Sequence, residues 1–198
     1  MYLISTVPQD ITDKLNEVIK GKNLQPANMD LAGNIKNEFL IPEGKEHVYP
    51  LIFALIDKHK EQYPQHFKKI TGYTGKKEIS LQLHSLWVNF QKKYEFNPPH
   101  THTGVLSFVI FIQIPYDLKE EEKCFKIKLS KDNSNQTSKF GFLNTDYKGK
   151  IMLNVLDVDK TFEGKMLLFN AKQMHTVFPF YTSDDYRITV SGNIKIKV

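Results

Sequence analysis

The hydrophobic pattern changes at Gly75, and this change constrains the fold more than any other feature of the sequence. After it, apolar residues alternate with a period of two, as in Leu81–Phe90. Eight such segments follow one another, separated by turn residues, and we predict strands at 81–90, 106–114, 124–129, 139–144, 151–156, 165–170, 175–180 and 186–196. About eight short strands without intervening helices favour a jelly roll over βαβ units.

Residues 1–75 carry helical patterns instead. A first helix is predicted from Asp10 or Thr12, either of which can cap it, to Ile19, with Gly21 at its end. Two further helices are predicted, a short one within 28–41 and an amphipathic one from Pro50 to about Lys60. His47, His59 and His66 lie on or near the last of these and are interpreted as surface histidines.

The chain of 198 residues fits one domain with a sizeable core. With 40% hydrophobic and 25% charged residues, it has the composition of a folded globular protein. We therefore predict a single domain over 1–198 of mainly β, α+β class. In this domain, residues 1–75 form a helical support packed on the sheet of a jelly-roll core at 76–198.

Several features bear on the compartment. The longest apolar stretch, 105–115, is far shorter than a membrane span, and no secretory signal precedes the first helix. A single cysteine, Cys124, excludes an internal disulfide and is interpreted as a buried small hydrophobic residue. The sequence predicts a cytoplasmic protein, in the host cytoplasm if the chain is viral, and leaves open whether it is a monomer or a homodimer.

The basic residues are almost all lysine. Of 27 basic residues only Arg187 is arginine, and the net charge of +5 is dispersed along the chain. Scattered lysines without an arginine and aromatic platform make nucleic-acid binding unlikely. In such a lysine-rich background, the one arginine suggests a position that needs a planar, bidentate donor for a carboxylate or phosphate, although a structural ion pair remains the alternative.

Three histidines are candidate metal ligands. His100 and His102 are two positions apart on an extended segment, so both imidazoles can point to the same side and bind one cation. His175 follows 73 residues after His102, among apolar neighbours. Taken singly, His100 and His102 also fit ordinary surface histidines in a loop, and His175 fits a histidine in the core. The order of the three along the chain favours a metal site.

A polar face is predicted on the last strand. Alternation places Arg187, Thr189 and Ser191 on one side, where a guanidinium and hydroxyls can hold one carboxylate, and Asn193 shares this side. On the first strand of the core, Leu81, Leu83, Ser85, Trp87 and Asn89 are predicted to share a face. Asn89 is a candidate hydrogen-bond partner of a cosubstrate or of a metal-bound water, whereas Trp87 fits core packing.

Taken as a set, these segments resemble a family of 2-oxoglutarate- and Fe(II)-dependent oxygenases that is common in marine bacteriophages and belongs to the prolyl-hydroxylase-like superfamily. The resemblance extends over roughly residues 28–196, including the segment Leu31-Ala-Gly-Asn-Ile-Lys-Asn-Glu38. It rests on Trp87-Val-Asn89, Pro99-His-Thr-His102, Leu106-Ser-Phe-Val-Ile110, Glu163-Gly-Lys-Met-Leu-Leu-Phe-Asn170, His175 with Pro179-Phe180, and Arg187-Ile-Thr-Val-Ser-Gly-Asn193.

The resemblance implies a double-stranded β-helix, a cupin-like jelly roll, that uses Fe(II), 2-oxoglutarate and O₂ and releases succinate and CO₂. It implies iron ligands at His100, His102 and His175, with the distal carboxylate of the cosubstrate at Arg187, assisted by Thr189 or Ser191. The usual triad has a carboxylate where this chain has His102. Either the site has three histidines, or only one of His100 and His102 binds and a carboxylate from elsewhere, such as Asp117 or Asp146, completes the site.

The sequence does not identify the substrate. A residue within a peptide is favoured only by analogy with the superfamily that the chain resembles. The main alternative function is a cupin-like metal-binding jelly-roll protein that does not use 2-oxoglutarate and has no need of Arg187. The third hypothesis is a nucleic-acid-binding sandwich. It predicts that the affinity for nucleic acid falls steeply with salt concentration and changes little when His175 is replaced.

Overall fold

The computed structural model describes residues 2–21, 23–28, 31–73, 79–124 and 136–197. Within these ranges the chain forms four helices: α1 (Gln9–Lys20), α2 (Lys45–Gln62), α3 (Pro64–Thr71) and α4 (Leu118–Cys124). The same ranges contain eleven strands: β1 (Tyr2–Thr6), β2 (Gln25–Pro26), β3 (Asn37–Leu40), β4 (Leu81–Gln91), β5 (Asn97–His100), β6 (Leu106–Gln113), β7 (Phe140–Thr145), β8 (Ile151–Leu156), β9 (Lys165–Asn170), β10 (His175–Val177) and β11 (Arg187–Ile196).

The strands form two antiparallel sheets. The larger has seven strands in the order β1-β9-β6-β11-β4-β3-β2, and the smaller has four in the order β5-β10-β7-β8. This two-sheet arrangement confirms the predicted jelly-roll class. Of the predicted strands, 125–129 lie outside the described residues, and Cys124 ends α4 with an exposed side chain, so its interpretation as a buried residue was wrong.

The large sheet is buried on both faces. One face packs against α1 and α2 through a cluster that includes Leu15, Ile52, Val88 and Val190. The other face meets the small sheet through a second cluster, which is rich in aromatic residues and includes Phe111, Phe140, Phe142, Leu167 and Phe169. Alternation along β11 therefore sends apolar side chains toward the helices and polar ones toward the space between the sheets.

The N-terminal part contributes strands that the sequence patterns did not reveal. In addition to α1–α3, it supplies β1, β2 and β3, which extend the large sheet at its two edges. The helix predicted within 28–41 was wrong: residues 37–40 pair with β4, and Asn34 bridges to Phe96. Pairing with a long central strand overrides a weak local helical preference, because strand propensity depends mostly on context.

The predicted helices differ from the observed ones mainly at their starts. α1 begins after Pro8 without a side-chain cap, and the Thr12 hydroxyl donates to the carbonyl of Pro8 instead. α2 begins at Lys45, five residues before the predicted start, so Pro50 lies inside the helix. Among the residues that the structure describes, no helix has both the length and the apolar character needed to cross a bilayer.

A β-bulge corrects the predicted face of β4. Asn193 pairs with Ser85, but the next residue, Ile194, pairs with Leu83, so one residue of β4 is skipped. Leu81 and Leu83 therefore pack in the helix-side core, while Trp87 and Asn89 face the other sheet. The predicted common face for all five residues holds only on one side of the bulge.

His59 was predicted to lie on the surface but is fully buried. Its ring lies against Tyr63 and Phe67, and its Nε2 is 3.3 Å from Nδ1 of His66. Burial, with a smaller contribution from His66, lowers the pKa of His59 to about 4. His59 is therefore neutral in the folded protein at pH 7.

Lowering the pH from 7 to 4 is expected to destabilise the fold through His59. The unfolded chain takes up this proton near pH 6.5, whereas the folded chain does so only near pH 4, so stability is complete above pH 6.5 and falls between these values. The loss approaches about 3 kcal/mol. Urea unfolding at several pH values should show a shallower pH dependence for His59→Phe than for His47→Phe, and equal slopes would contradict this assignment.

Candidate active site

Strand pairing brings the three candidate histidines together. His100 at the end of β5 and His175 at the start of β10 are direct cross-strand partners. His102 follows two residues later, and its backbone N–H donates to the carbonyl of Ala171, which holds it beside the pair. The small sheet thus positions the rings of His100 and His175, and the hydrogen bond to Ala171, just after β9, places the His102 ring beside them.

One nitrogen from each ring points to a common centre. The candidate ligand atoms lie within 4.8 Å of one another, and Nε2 of His102 is 3.2 Å from Nε2 of His175. Nδ1 of His100 lies 2.7 Å from the carbonyl of Pro98, and Nδ1 of His175 lies 3.0 Å from that of Gln173. Each Nδ1–H can donate to its carbonyl, which leaves the Nε2 lone pair free for a metal.

The electrostatics of these rings favour the neutral, metal-binding form. Burial lowers the pKa of His102 and of His175 to about 3, and also lowers the pKa of His100. Mutual proximity of the rings adds to the effect on His102 and His175. At neutral pH the three lone pairs are therefore available without loss of a proton.

Neither alternative carboxylate lies at this centre. Asp117 accepts hydrogen bonds from the first turn of α4, and Asp146 does so from the turn between β7 and β8. Within the described ranges, the cluster of potential metal ligands consists of the three histidines. The surroundings of the rings are aromatic: Trp87 lies 5.4 Å from His102 and Phe169 lies 4.8 Å from His175, between ring centroids.

The rings open into a narrow cavity of about 50 Å³ between the two sheets. The large sheet contributes Asn89, Arg187, Thr189 and Ser191 to its lining, in agreement with their predicted common location. Asn193 is not among the lining residues, and its Oδ1 accepts a hydrogen bond of 2.6 Å from the Ser107 hydroxyl. The cavity therefore joins a metal-binding wall on the small sheet to a polar wall on the large one.

Arg187 is buried and fully hydrogen-bonded. Nε and Nη2 both donate to Oε1 of Gln91, at 3.0 and 2.6 Å. Nη1 donates to the Tyr116 hydroxyl and to the carbonyl of Ser138, and Nη2 also donates to the carbonyl of Phe178. All five N–H groups are thus engaged, and Gln91 occupies the fork that a carboxylate would take.

Sequence reasoning missed Glu38, which lines the same cavity from β3. It is 1% exposed, and burial, together with the nearby Glu95, raises its pKa to about 7. It is the cross-strand partner of Asn89. Glu38 ends a segment that contributes to the family resemblance, but the sequence assigns it no role, and the pairing of β3 with β4 is what places it in the cavity.

Three convergent, neutral histidines that line a cavity in a two-sheet jelly roll form a candidate site for one metal ion. Sequence comparison gives the class more closely. The family model described as "Putative 2OG-Fe(II) oxygenase" matches residues 85–193, more than half of the chain and all three histidines. The chain belongs to this 2-oxoglutarate/Fe(II)-dependent oxygenase family. It is an oxidoreductase that uses Fe(II), 2-oxoglutarate and O₂.

Solved structures support the fold. A prolyl-4-hydroxylase of Pseudomonas putida matches all of this chain and 93% of its own, with a TM-score of 0.56 and 12% identity. A 2OG-Fe(II) oxygenase family oxidoreductase of Burkholderia pseudomallei matches 98% of this chain and 84% of its own, with a TM-score of 0.56 and 11% identity. The collagen prolyl hydroxylase of Paramecium bursaria Chlorella virus 1, in complex with 2-oxoglutarate, covers 100% of this chain and 96% of its own, at a TM-score of 0.50 and 13% identity. A search of curated proteins gives no significant match.

Proposed function

We propose that His100, His102 and His175 hold Fe(II) and that Arg187, across the cavity, binds the distal carboxylate of 2-oxoglutarate. The observation that carries this proposal is the convergence of three ring nitrogens within 4.8 Å. Two of the rings are oriented by backbone carbonyls, as is common for metal-ligating histidines. Thr189 and Ser191, on the same strand face as Arg187, supply hydroxyls for the cosubstrate.

The donor set fits iron. Neutral imidazoles suit Fe(II), and three protein ligands leave coordination positions open for small ligands. When bound, the iron supplies the O₂ chemistry that oxidises 2-oxoglutarate to succinate and CO₂ and hydroxylates the substrate. The protein's own contribution is to orient the ligands, and to exclude water with Trp87 and Phe169, whose rings lie beside His102 and His175.

Cosubstrate binding at Arg187 requires one exchange of partners. Oε1 of Gln91 accepts hydrogen bonds from Nε and Nη2, the two donors that a carboxylate would use. The distal carboxylate of 2-oxoglutarate therefore takes the place of this amide oxygen. Tyr116 and the carbonyls of Ser138 and Phe178 continue to fix the guanidinium. The charged acceptor is favoured in this exchange, because a carboxylate adds the attraction of its negative charge for the buried guanidinium, which the neutral amide lacks.

The proposed substrate class is a residue within a peptide or protein. Two of the similar structures carry the names of prolyl hydroxylases, and their likeness to this chain in fold is the support for the proposal. Free amino acids and small metabolites are the competing substrates, which a panel assayed for succinate release would separate.

An anaerobic titration of the Fe(II)-loaded protein with 2-oxoglutarate tests the proposed site. We expect the visible absorption band that Fe(II) gives with a bound 2-oxo acid, saturating at one equivalent. Succinate, which has both carboxylates but no oxo group, is the matched control and should give no band. If iron is bound in stoichiometric amount and 2-oxoglutarate gives no band, the proposed cosubstrate site is wrong and a metal protein of the cupin type is favoured.

A further inference from the structure

Three oxygen atoms in the cavity wall have no hydrogen-bond partner among the described residues. They are Glu38 Oε2, Asn89 Oδ1 and Asn97 Oδ1, and each is buried. Burying a polar group without a partner costs free energy, and a buried carboxylate costs most. Three such atoms in one cavity require donors from a bound water or ligand.

Backbone geometry brings these oxygens to one place. Glu38 and Asn89 are cross-strand partners on β3 and β4, and Asn97 begins β5, three residues before His100. A Cβ atom built on Gly33 would lie 2.3 Å from Glu38 Oε1 and 2.6 Å from Asn97 Oδ1. Both oxygens therefore pack against Gly33 in the space that a side chain would take, which holds them close to each other.

These oxygens lie apart from Arg187. In the large sheet, β4 separates β3 from β11, and Glu38 is level with Thr189 rather than with Arg187, so the Glu38 and Arg187 backbones are roughly 12 Å apart in the sheet plane. The described residues show no ion pair between them. The cavity thus has a cationic end, which suits the dicarboxylate cosubstrate, and an end lined with acceptors.

We propose that Glu38 and Asn97, bordered by Asn89, form a substrate subsite for a protonated primary amine, so that the oxidised substrate carries an ammonium group. This inference rests on the proposed function and extends it to the substrate. An ammonium has three donors and no acceptor, which matches the two oxygens of Glu38 and the one of Asn97. An anionic substrate would meet unpaired acceptors here, and a neutral hydroxyl would leave most of them unsatisfied.

Calorimetric titration with n-butylamine and with its neutral counterpart N-butylacetamide tests the subsite. We expect the amine to bind the Fe(II)- and 2-oxoglutarate-loaded protein at least about tenfold more tightly than the amide, since it gains charge-assisted hydrogen bonds. Glu38→Gln should remove this preference, and Gly33→Ala should weaken amine binding, because the added Cβ would displace the oxygens of Glu38 and Asn97. The matched control, Glu17→Gln, removes the same charge from the exposed face of α1 and should bind the amine as the wild type does.

Two further compounds locate the ammonium on the substrate: Nα-acetyl-lysine methylamide carries it on a side chain, and norleucine methylamide carries it on the α-carbon. Tighter binding of either one than of N-butylacetamide supports the subsite. Equal binding of amine and amide, unchanged amine binding in Glu38→Gln, or loss of the metal from Glu38→Gln would overturn it.

The same titrations on metal-free protein separate this inference from the proposed function. If the amine binds in a Glu38-dependent manner but the Fe(II)-loaded protein gives no band with 2-oxoglutarate, the subsite is supported and the proposed cosubstrate site is wrong. If the band is normal but the amine is not preferred over the amide, the cosubstrate site is supported and the subsite is wrong.

Discussion

Replacing His175 with alanine is expected to abolish stoichiometric Fe(II) binding. The variant loses the ring that is paired with His100 and lies 3.2 Å from His102, so two ligands remain. Changes outside the ligand set typically lower metal affinity by roughly 10- to 100-fold, and loss of a ligand should exceed about 100-fold. Metal content after dialysis against a weak chelator measures the effect.

The matched control is His84→Ala, which removes an exposed histidine from β4. It should keep one equivalent of iron. Retention of one equivalent by His175→Ala would remove this residue from the metal site. The separate variants His100→Ala and His102→Ala then rank the other two ligands, and a much larger loss in one of them would identify the indispensable partner.

The second large effect is expected from Arg187→Lys, which keeps the charge and loses the planar fork. We expect the affinity for 2-oxoglutarate to fall about 10- to 100-fold, which corresponds to one or two charge-assisted hydrogen bonds, while metal content stays at one equivalent. The anaerobic titration provides the dissociation constant. Circular dichroism checks the fold, because lysine also leaves buried carbonyls without donors.

Gln91→Leu distinguishes a cosubstrate role of Arg187 from a purely structural one. This variant removes the amide oxygen that accepts from Nε and Nη2 and leaves the charge of Arg187 unchanged. We therefore expect 2-oxoglutarate to bind at least as tightly as in the wild type. If Arg187→Lys and the wild type bind 2-oxoglutarate equally, Arg187 serves only to join β11 to Gln91, Tyr116 and the two carbonyls.

The predictable part of this molecule is the part encoded by local spacing. The two-residue period after Gly75 predicted the central strands, and alternation along β11 predicted the shared location of Arg187, Thr189 and Ser191. The pair His100 and His102 follows from spacing in the same way. Alternation is a property of an unbroken strand, so it holds wherever no bulge interrupts the pairing.

The remainder depends on contacts between distant segments. Glu38 enters the cavity only because a four-residue strand pairs with β4, and Gln91 meets Arg187 through the register of β4 and β11. The bulge opposite Asn193 moves Leu83 to the other side of the sheet, and no residue type at that point predicts a bulge. Registers and bulges are set by the packing of whole sheets, which a single sequence does not state.

Two of the three histidines lie on the small sheet, whereas Glu38, Asn89 and Arg187 lie on the large one. In the proposed site, most of the metal ligands and the side chains that face them therefore come from different parts of the scaffold. Substitutions on β3 and β4 can therefore retune which molecule is accepted while the reactive centre stays intact. Such an arrangement makes the chain a practical starting point for directed changes of selectivity.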